Sequence, residues 1–546
     1  MRRRRLLPWS AAVVGAGLLW AWGGHRWLQM GMELALARPI QDPGALQEFV
    51  ATLAQVLSGV LGVTLSVVAI VVQLSADRFT PKVTELFLRE KVNLYLFFFL
   101  ILANVVSLWS SMALGFCDNP RLLIGLNLLL GTASFLLLIP YFNFVFHFLQ
   151  PTSIVRRIEQ QAQQAILGSL ASRPARFPLA RRPRSTFGTE RARLSAPEPC
   201  SMAHRRCLAA LDEIKTIATS ALHQQEGVIL LEALDSLKAL WLFYAGHKAH
   251  LPCSWFLLSP ALRRDPDFAS VDEGLLGQIE AEGSWLELKI LRQYQALFVE
   301  GLNGMRQVST LVAIHSRELG IRALETQQLT VAGWVIKFFN TYLRAVINAR
   351  DIRSGYNLLK QYRLLAEAAL RQRQPALVLQ IVSHFRYYSL VAYKAGLFFL
   401  CETFGFDLGV LAQLSCALQA ETTEAILQVL LRLDQDPESE QQEATLRGIR
   451  KTQARLAAYF LSCGREDWAR LIYQDMQHEP LARLQIIRRE LLSTAAEFWE
   501  FTDRGENFYY LEPALQPYAE QFFGWFQGLT SPVGKPEKVQ GSLELP

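Results

Sequence analysis

Catalytic motifs are missing from this sequence. It has no phosphate-binding glycine loop, no nucleophile elbow, no paired zinc-ligand histidines on a helix and no cysteine pairs at zinc-ribbon spacing. The 7 cysteines are odd in number and scattered along the chain, which excludes a disulfide framework and predicts reduced thiols. These absences predict a protein that is not an enzyme and has no metal or cofactor.

Two clusters come nearest to a functional pattern. Cysteine and histidine, which hold zinc in proteins, occur together at Cys200, His204 and Cys207 and again at His247, His250 and Cys253. Prolines disturb both stretches, so ordinary histidines and buried thiols are expected there. Basic and aromatic residues interleave around Tyr387, Tyr388, Tyr393 and Lys394, as in some proteins that bind nucleic acid. Packing in a helix core explains these aromatics, and we predict no nucleic-acid partner.

Charge is also scarce in the long apolar runs of residues 1–150. A chain of 546 residues exceeds one hydrophobic core, and about 20 mainly apolar residues are needed to cross a bilayer as a helix. Four stretches qualify, at about 6–23, 49–74, 92–116 and 122–149. The first is interpreted as an uncleaved anchor rather than a signal peptide, because the small-residue site at Ala35 to Ala37 lies too far from the apolar run. We therefore predict a transmembrane domain over residues 1–150.

The basic residues of the short loops predict the orientation, because such residues stay on the cytoplasmic side. One side carries Arg2 to Arg5, Arg78, Lys82, Arg89, Lys91, Arg156 and Arg157. The opposite side carries only Arg26, Arg38 and Arg121. This asymmetry predicts a multi-pass protein of a bacterial inner membrane with both termini in the cytoplasm.

Small and polar residues follow one face of the second membrane helix. Ser58, Gly62 and Ser66 recur every four residues and Gln73 follows seven later, which places all four on one side. Such a face favours close helix packing, either within one bundle or between copies. The alternative is a pore-lining stripe. His147, among aromatic residues near the end of the fourth helix, is interpreted as an interfacial residue.

The segment after this helix resembles a known family. An apolar helix ends at Gln73, and a short polar step is followed by Phe79, Thr80, Pro81 and Lys82. This pattern is similar to that of an uncharacterised bacterial membrane-protein family, domain of unknown function 2254, over residues of about 50–160. The resemblance implies a membrane protein and no particular reaction. Independently, a hydroxyl before proline predicts the start of a short helix from Pro81 to Glu90, lying along the inner headgroups.

Beyond the membrane segments the pattern changes twice. Residues 151–200 read as a basic juxtamembrane helix and linker, whose arginines lie near anionic lipid headgroups or are simply solvated. From 201 to 530 apolar residues recur at three and four spacing, which predicts a cytoplasmic α-helical domain. The tail at 531–546 is predicted to be disordered. The fold class is thus all-α.

One helical hairpin at 457–480 is tetratricopeptide-like. Ala457, Gly464, Ala469 and Pro480 lie at the positions for close packing, a tight turn and a helix stop. Such hairpins bury their apolar faces by stacking on neighbours, so we expect either a solenoid or a closed irregular bundle. We predict a membrane-anchored scaffold or sensor whose helical domain binds protein partners or forms a homo-oligomer. The alternative is an oligomeric ion channel or transporter lined by the second membrane helix.

Overall fold

A computed structural model describes residues 43–78, 82–88, 90–114, 120–171, 198–433, 439–497 and 502–529. Within these ranges every regular element is a helix, which confirms the all-α prediction. The chain forms two compact units that divide between Ile154 and Val155. Each unit is described by itself below.

The first unit contains three long helices and one short one. They are α1 (Pro43–Arg78), α2 (Lys82–Leu88), α3 (Lys91–Ala113) and α4 (Pro120–Phe148). The three long helices are apolar enough to cross a membrane, which confirms three of the four predicted spans. The predicted span at 6–23 lies outside the described residues. α1 is longer than predicted at both ends, because the helical conformation continues through polar residues beyond the apolar run.

Polarity in this unit is the reverse of that in a water-soluble protein. Large apolar side chains such as Val63, Leu94 and Ile139 are 65%, 68% and 72% exposed. Ser107 and Asn127, in contrast, are fully buried. A polar side chain in a lipid-embedded bundle is stable where protein surrounds it, whereas an apolar one is stable against lipid. The arrangement is that of helices with lipid around them.

The second unit is built mainly from helices. In order they are α5 (Pro151–Ala171, whose first four residues belong to the first unit), α6 (Glu198–His223), α7 (Gly227–His247), α8 (Pro260–Arg264), α9 (Pro266–Ala269), α10 (Glu273–Glu282), α11 (Trp285–Asn303), α12 (Arg306–Glu325), α13 (Leu329–Ala349), α14 (Ile352–Arg371), α15 (Pro375–Lys394), α16 (Phe398–Ala417), α17 (Thr423–Leu430), α18 (Glu440–Ser462), α19 (Glu466–Met476), α20 (Leu481–Ser493) and α21 (Gln516–Phe523).

Helices α6, α7 and α11 to α18 form two layers, which we call the helical array. One layer contains α6, α11, α13, α15 and α17, and the other contains α7, α12, α14, α16 and α18. Within each layer successive members contact each other, and helices of the two layers also pack across. This alternation is that of stacked helical hairpins, in which each hairpin covers the apolar face of the next.

A turn repeats along the array with a period of 23 residues. Gln327, Arg350, Arg373, Gly396 and Gln419 each have positive φ at the end of a helix. At each of them the following backbone N–H donates to a carbonyl five residues back, as from Gln374 to Ala369 at 2.9 Å. This hydrogen bond satisfies a carbonyl that the helix end leaves free. Equal helix lengths and equal turns keep the layers in register.

The same period appears in the core of the array. Phe339, Tyr362 and Phe385 are spaced by 23 residues and lie against one another, with ring centroids 4.7 and 5.2 Å apart. Phe385 then contacts Phe404 on α16 at 5.4 Å. Aromatic pairs at such distances add about 0.5–1.5 kcal/mol each to the stabilisation from burial.

α16 is the fourth helix that is long and apolar enough to span a bilayer. In contrast to α1, α3 and α4, of which 22%, 28% and 17% is buried, α16 is 72% buried inside the protein. It contacts α14, α15, α17 and α18. Burial on all sides makes a helix uniformly apolar without any membrane, and α16 is therefore a buried core helix of the array.

Candidate functional site

The face of α1 that carries the predicted stripe lies on the outside of the bundle. Ser58, Gly62, Ser66 and Gln73 are all exposed, and so is Gln55 one turn earlier. The opposite side of α1 is buried against α3 and α4. Packing against the described spans α3 and α4 therefore does not explain this face, which we call the polar face of α1.

The glycines of α1 show that this face has no close neighbour among the described residues. A Cβ added at Gly59 or Gly62 would meet no atom within 4 Å. At Gly131 on α4, in contrast, an added Cβ would lie 3.3 Å from Leu53 Cδ1. The glycine of α4 allows close packing inside the bundle, whereas the glycines of α1 lie on the outer side of the described bundle.

Hydrogen bonding on the polar face is incomplete. The Asn104 side-chain amide on α3 donates to Ser58 Oγ at 2.7 Å, which joins two spans at one edge of the face. The side chains of Gln55, Ser66 and Gln73 have no hydrogen-bond partner within the part of the chain that the structure describes. Lipid tails offer no hydrogen bonds, so these groups are stable only against water or another polypeptide.

A pocket of about 500 Å³ lies at the Gln73 end of the polar face. Its walls come from α1, α2 and α3, and most of the side chains are apolar, such as Val72 and Phe97. Gln73, Asp77 and Thr84 supply the polar atoms. The predicted stripe and the predicted family motif thus meet at Gln73.

The rest of the family-like motif falls mostly outside the described residues. This holds for Phe79, Thr80 and Pro81, whereas Lys82 is described only as the first residue of α2. α2 ends at Leu88, two residues before the predicted end.

The Phe87 side chain of α2 packs inside the bundle, and the position of α2 along the inner headgroups stays a prediction. Phe87 is only 3% exposed, and its ring contacts Phe148 with centroids 5.4 Å apart. The Asn93 side-chain amide donates to the carbonyl of Phe87 at 2.5 Å. These contacts tie the end of α2 to the spans α3 and α4.

Among the described residues of the first unit, one histidine is present, and it lies near the end of a span. His147 is exposed in the last turn of α4, next to the buried Phe148. This position leaves its interfacial role as a prediction.

The cysteine and histidine cluster does not assemble into a ligand set in the described residues. His204 is buried between Trp255 and Trp285, and one ring nitrogen lies 2.9 Å from the Trp255 carbonyl oxygen. Burial lowers the pKa of His204 to about 4 and raises the pKa of the Cys207 thiol to about 12. Both side chains are therefore neutral core residues at physiological pH. Cys253 is exposed.

The predicted hairpin at 457–480 is present as α18 and α19. Ala457 and Ala469 are fully buried, and Gly464 occupies the turn with φ of 72°. The second helix ends at Met476, before Pro480. The assignment to the tetratricopeptide class stays a prediction.

A buried charge cluster closes the array near its carboxyl-terminal end. Residues 502–511, which we call the strap, cross the array and carry Arg504, whose side chain is fully buried. Its guanidinium donates to the Asp407 carboxylate at 2.7 and 3.2 Å and to the Tyr356 carbonyl at 2.6 Å. Arg363 lies 3.0 Å from the same carboxylate and 2.7 Å from Glu506 of the strap. The strap is thereby joined to α14 and α16.

A second buried carboxyl lies beside this cluster. Glu402 on α16 accepts a hydrogen bond from the Tyr509 hydroxyl of the strap and lies near Lys451 and Glu490. A Cβ at Gly448 would collide with this carboxyl, so only glycine leaves room for it. Burial raises the pKa of Glu402 to about 7, despite the opposing effects of Tyr509 and Lys451. Sequence reasoning missed this group because nothing local marks a buried glutamate.

The fold and the apolar, lipid-facing helices define an integral membrane protein with a large helical domain. Residues 4–229 match the family described as Predicted membrane protein (DUF2254). The predicted resemblance is confirmed for this part of the chain, and it extends on both sides of the expected range of 50–160. The match therefore includes α5 and α6 as well as the spans.

Other comparisons add little. No curated protein matches the chain. A solved structure described as "Circular tandem repeat protein with novel repeat topology and enhanced subunit contact surfaces" is 14% identical, over 88% of this chain and 94% of that chain, with a TM-score of 0.24. Superposition at this level supports no conclusion about the fold.

Proposed function

We propose that the protein is a non-enzymatic, multi-pass protein of a bacterial inner membrane that assembles with copies of itself through the polar face of α1. Its helical array then presents binding surfaces for protein partners in the cytoplasm, the side that the basic loops favour for both termini. No cofactor is needed for either role.

The polar face of α1 is the observation that carries self-association. It holds exposed amides, hydroxyls and glycines, whereas the other exposed residues of the helix between residues 55 and 73 are apolar. Small residues let two helix backbones approach closely, and polar side chains then bond across the contact. A second copy supplies both the close approach and the hydrogen bonds that lipid lacks.

Replacing Gly62 with isoleucine is expected to weaken self-association by about tenfold or more, because a branched side chain keeps two backbones apart. A Cβ at Gly62 would meet no described atom within 4 Å, so the fold of the protomer is expected to persist. The measurement is the molar mass of the full-length protein in lipid nanodiscs or mild detergent over a dilution series. Val63→Ile, on the adjacent apolar side, is the matched control and is expected to behave as wild type.

A wild-type protein that stays monomeric at every concentration would refute self-association. Equal dissociation of the Gly62 and Val63 variants would show that the contact lies elsewhere on the protein.

A second candidate function is an oligomeric channel or transporter. It is favoured by the amides of Gln55 and Gln73, which have no partner among the described residues and which water would solvate if several copies of α1 surrounded an axis. The described residues of the spans place no Lys or Arg on this face.

In this second case, replacing Gln73 with leucine is expected to reduce ion flux into liposomes about tenfold, as a barrier higher by about 1.4 kcal/mol would do. The measurement is efflux from vesicles that contain the reconstituted full-length protein. Val63→Leu is the control. Vesicles that stay tight with the oligomeric wild-type protein would exclude the channel and leave the scaffold.

A further inference from the structure

A groove of about 340 Å³ opens on the outer side of α15, next to the residues that follow α17. It is lined by Ser383, Arg386, Tyr387, Leu390, Tyr393 and Arg432. We call it the Arg386–Arg432 groove. Its size is in the range of about 300–1,000 Å³ that is usual for ligand sites.

The helical period of α15 separates its aromatic residues into two groups. Phe385 and Tyr388 are buried in the core, as expected from the sequence. Tyr387, in contrast, is 57% exposed, and its ring stands edge-on to Tyr388 with centroids 5.1 Å apart. Core packing therefore explains Tyr388, whereas the prediction that Tyr387 packs in the core is wrong, because the helical period turns it outward.

The described lining of the groove carries two positive charges and no negative charge. Arg386 and Arg432 are exposed and form no ion pair within the described residues. Elsewhere in the array, in contrast, arginines form ion pairs with carboxylates, as Arg363 and Arg504 do with Asp407. On the neighbouring helix α13, Arg344 forms a hydrogen bond with Tyr388. No described carboxylate lines the groove.

We propose that the Arg386–Arg432 groove binds an acidic peptide segment of a protein partner. This inference rests on the proposed partner-binding role of the array and names the chemistry of the partner. Two guanidinium groups pair with carboxylates through two parallel hydrogen bonds each. Tyr387 and Leu390 supply apolar contact between them, and tyrosine and arginine are the residue types that carry most binding energy in protein interfaces.

The chain itself contains one competing acidic sequence. Asp434, Asp436 and Glu438 follow Leu433 directly in sequence and lie outside the described residues. Occupation of the groove by this segment would exclude an external partner, and the experiment therefore needs a variant with Asp434→Asn, Asp436→Asn and Glu438→Gln.

The test measures the binding of a short fluorescein-labelled peptide of alternating Glu and Leu to the full-length protein in lipid nanodiscs, by fluorescence anisotropy. The Arg386→Gln, Arg432→Gln variant is expected to bind about tenfold or more weakly than wild type. The control is Arg350→Gln with Arg373→Gln, which removes the same charge at two exposed turns of the array. Tyr387→Ala gives a second, uncharged change in the groove and is expected to weaken binding as well.

An equal loss in the control variant, or no peptide binding by wild type, would overturn the proposal. Binding that appears only after the loop carboxylates are neutralised would show that the loop occupies the groove, which also overturns it. Unchanged binding in the loop variant supports it. The molar mass of the Arg386, Arg432 variant is expected to equal that of wild type, so a failure here is distinct from a failure of self-association.

Discussion

Replacing Asp407 with alanine is expected to lower the free energy of unfolding of the array by about 3–5 kcal/mol, because it leaves buried cations without their partner. Asp407 is fully buried and receives both Arg504 and Arg363. The remaining hydrogen bonds from Arg504 to the Tyr356 carbonyl do not neutralise its charge. The measurement is urea denaturation of the full-length protein in detergent, followed by tryptophan fluorescence.

The matched control is an exposed ion pair on the same strap. Arg353 is 74% exposed, and its guanidinium contacts Asp503 at 3.1 Å. Arg353→Ala is expected to change the free energy of unfolding by less than about 1 kcal/mol, since water screens such pairs. If Asp407→Ala costs no more than this control, the buried cluster does not stabilise the array.

Replacing Glu402 with glutamine is expected to stabilise the array by about 3 kcal/mol above pH 7 and to change little below pH 4.5. The pKa of Glu402 rises from its ordinary 4.5 to about 7 on folding. Between these values the unfolded chain releases its proton while the folded protein keeps it. Wild-type stability therefore falls as pH rises through this window, and each unit of pKa shift corresponds to about 1.4 kcal/mol.

The glutamine variant removes this pH dependence, because its side chain is neutral at every pH and still accepts the hydrogen bond from Tyr509. The measurement is the same urea denaturation, repeated from pH 4 to pH 8. Glu497→Gln, an exposed carboxyl near the strap, serves as control and is expected to follow wild type. Parallel pH profiles for wild type and Glu402→Gln would contradict the assignment of a raised pKa.

The sequence was informative where one physical rule dominates. Apolar runs free of charge predicted the three described spans, because lipid leaves the backbone no partner other than its own helix. The spacing of Ser58, Gly62, Ser66 and Gln73 also predicted a common face. Whether that face points inward or outward depends on packing between helices, and helical periodicity alone does not contain this information.

The array was harder to predict in detail. Its 23-residue period is marked at the turns by Gln327, Arg350, Arg373 and Gln419, residue types that do not signal a left-handed turn as Gly396 does. Apolar composition also does not distinguish α16 from a membrane span, since a buried core helix and a span are equally apolar. Long-range partners such as Asp407 and Arg504 lie 97 residues apart and have no local signature.

The position of the strap has a consequence for biosynthesis. Arg504 lies 97 residues after Asp407 and 148 residues after Tyr356. At translation rates of about 5–20 residues per second, the ribosome adds the arginine roughly 5–20 s after the aspartate. During that interval α14 and α16 lack the ion pair and the hydrogen bonds of Arg504. A nascent chain of this length therefore exposes to chaperones a surface that the strap covers in the finished protein.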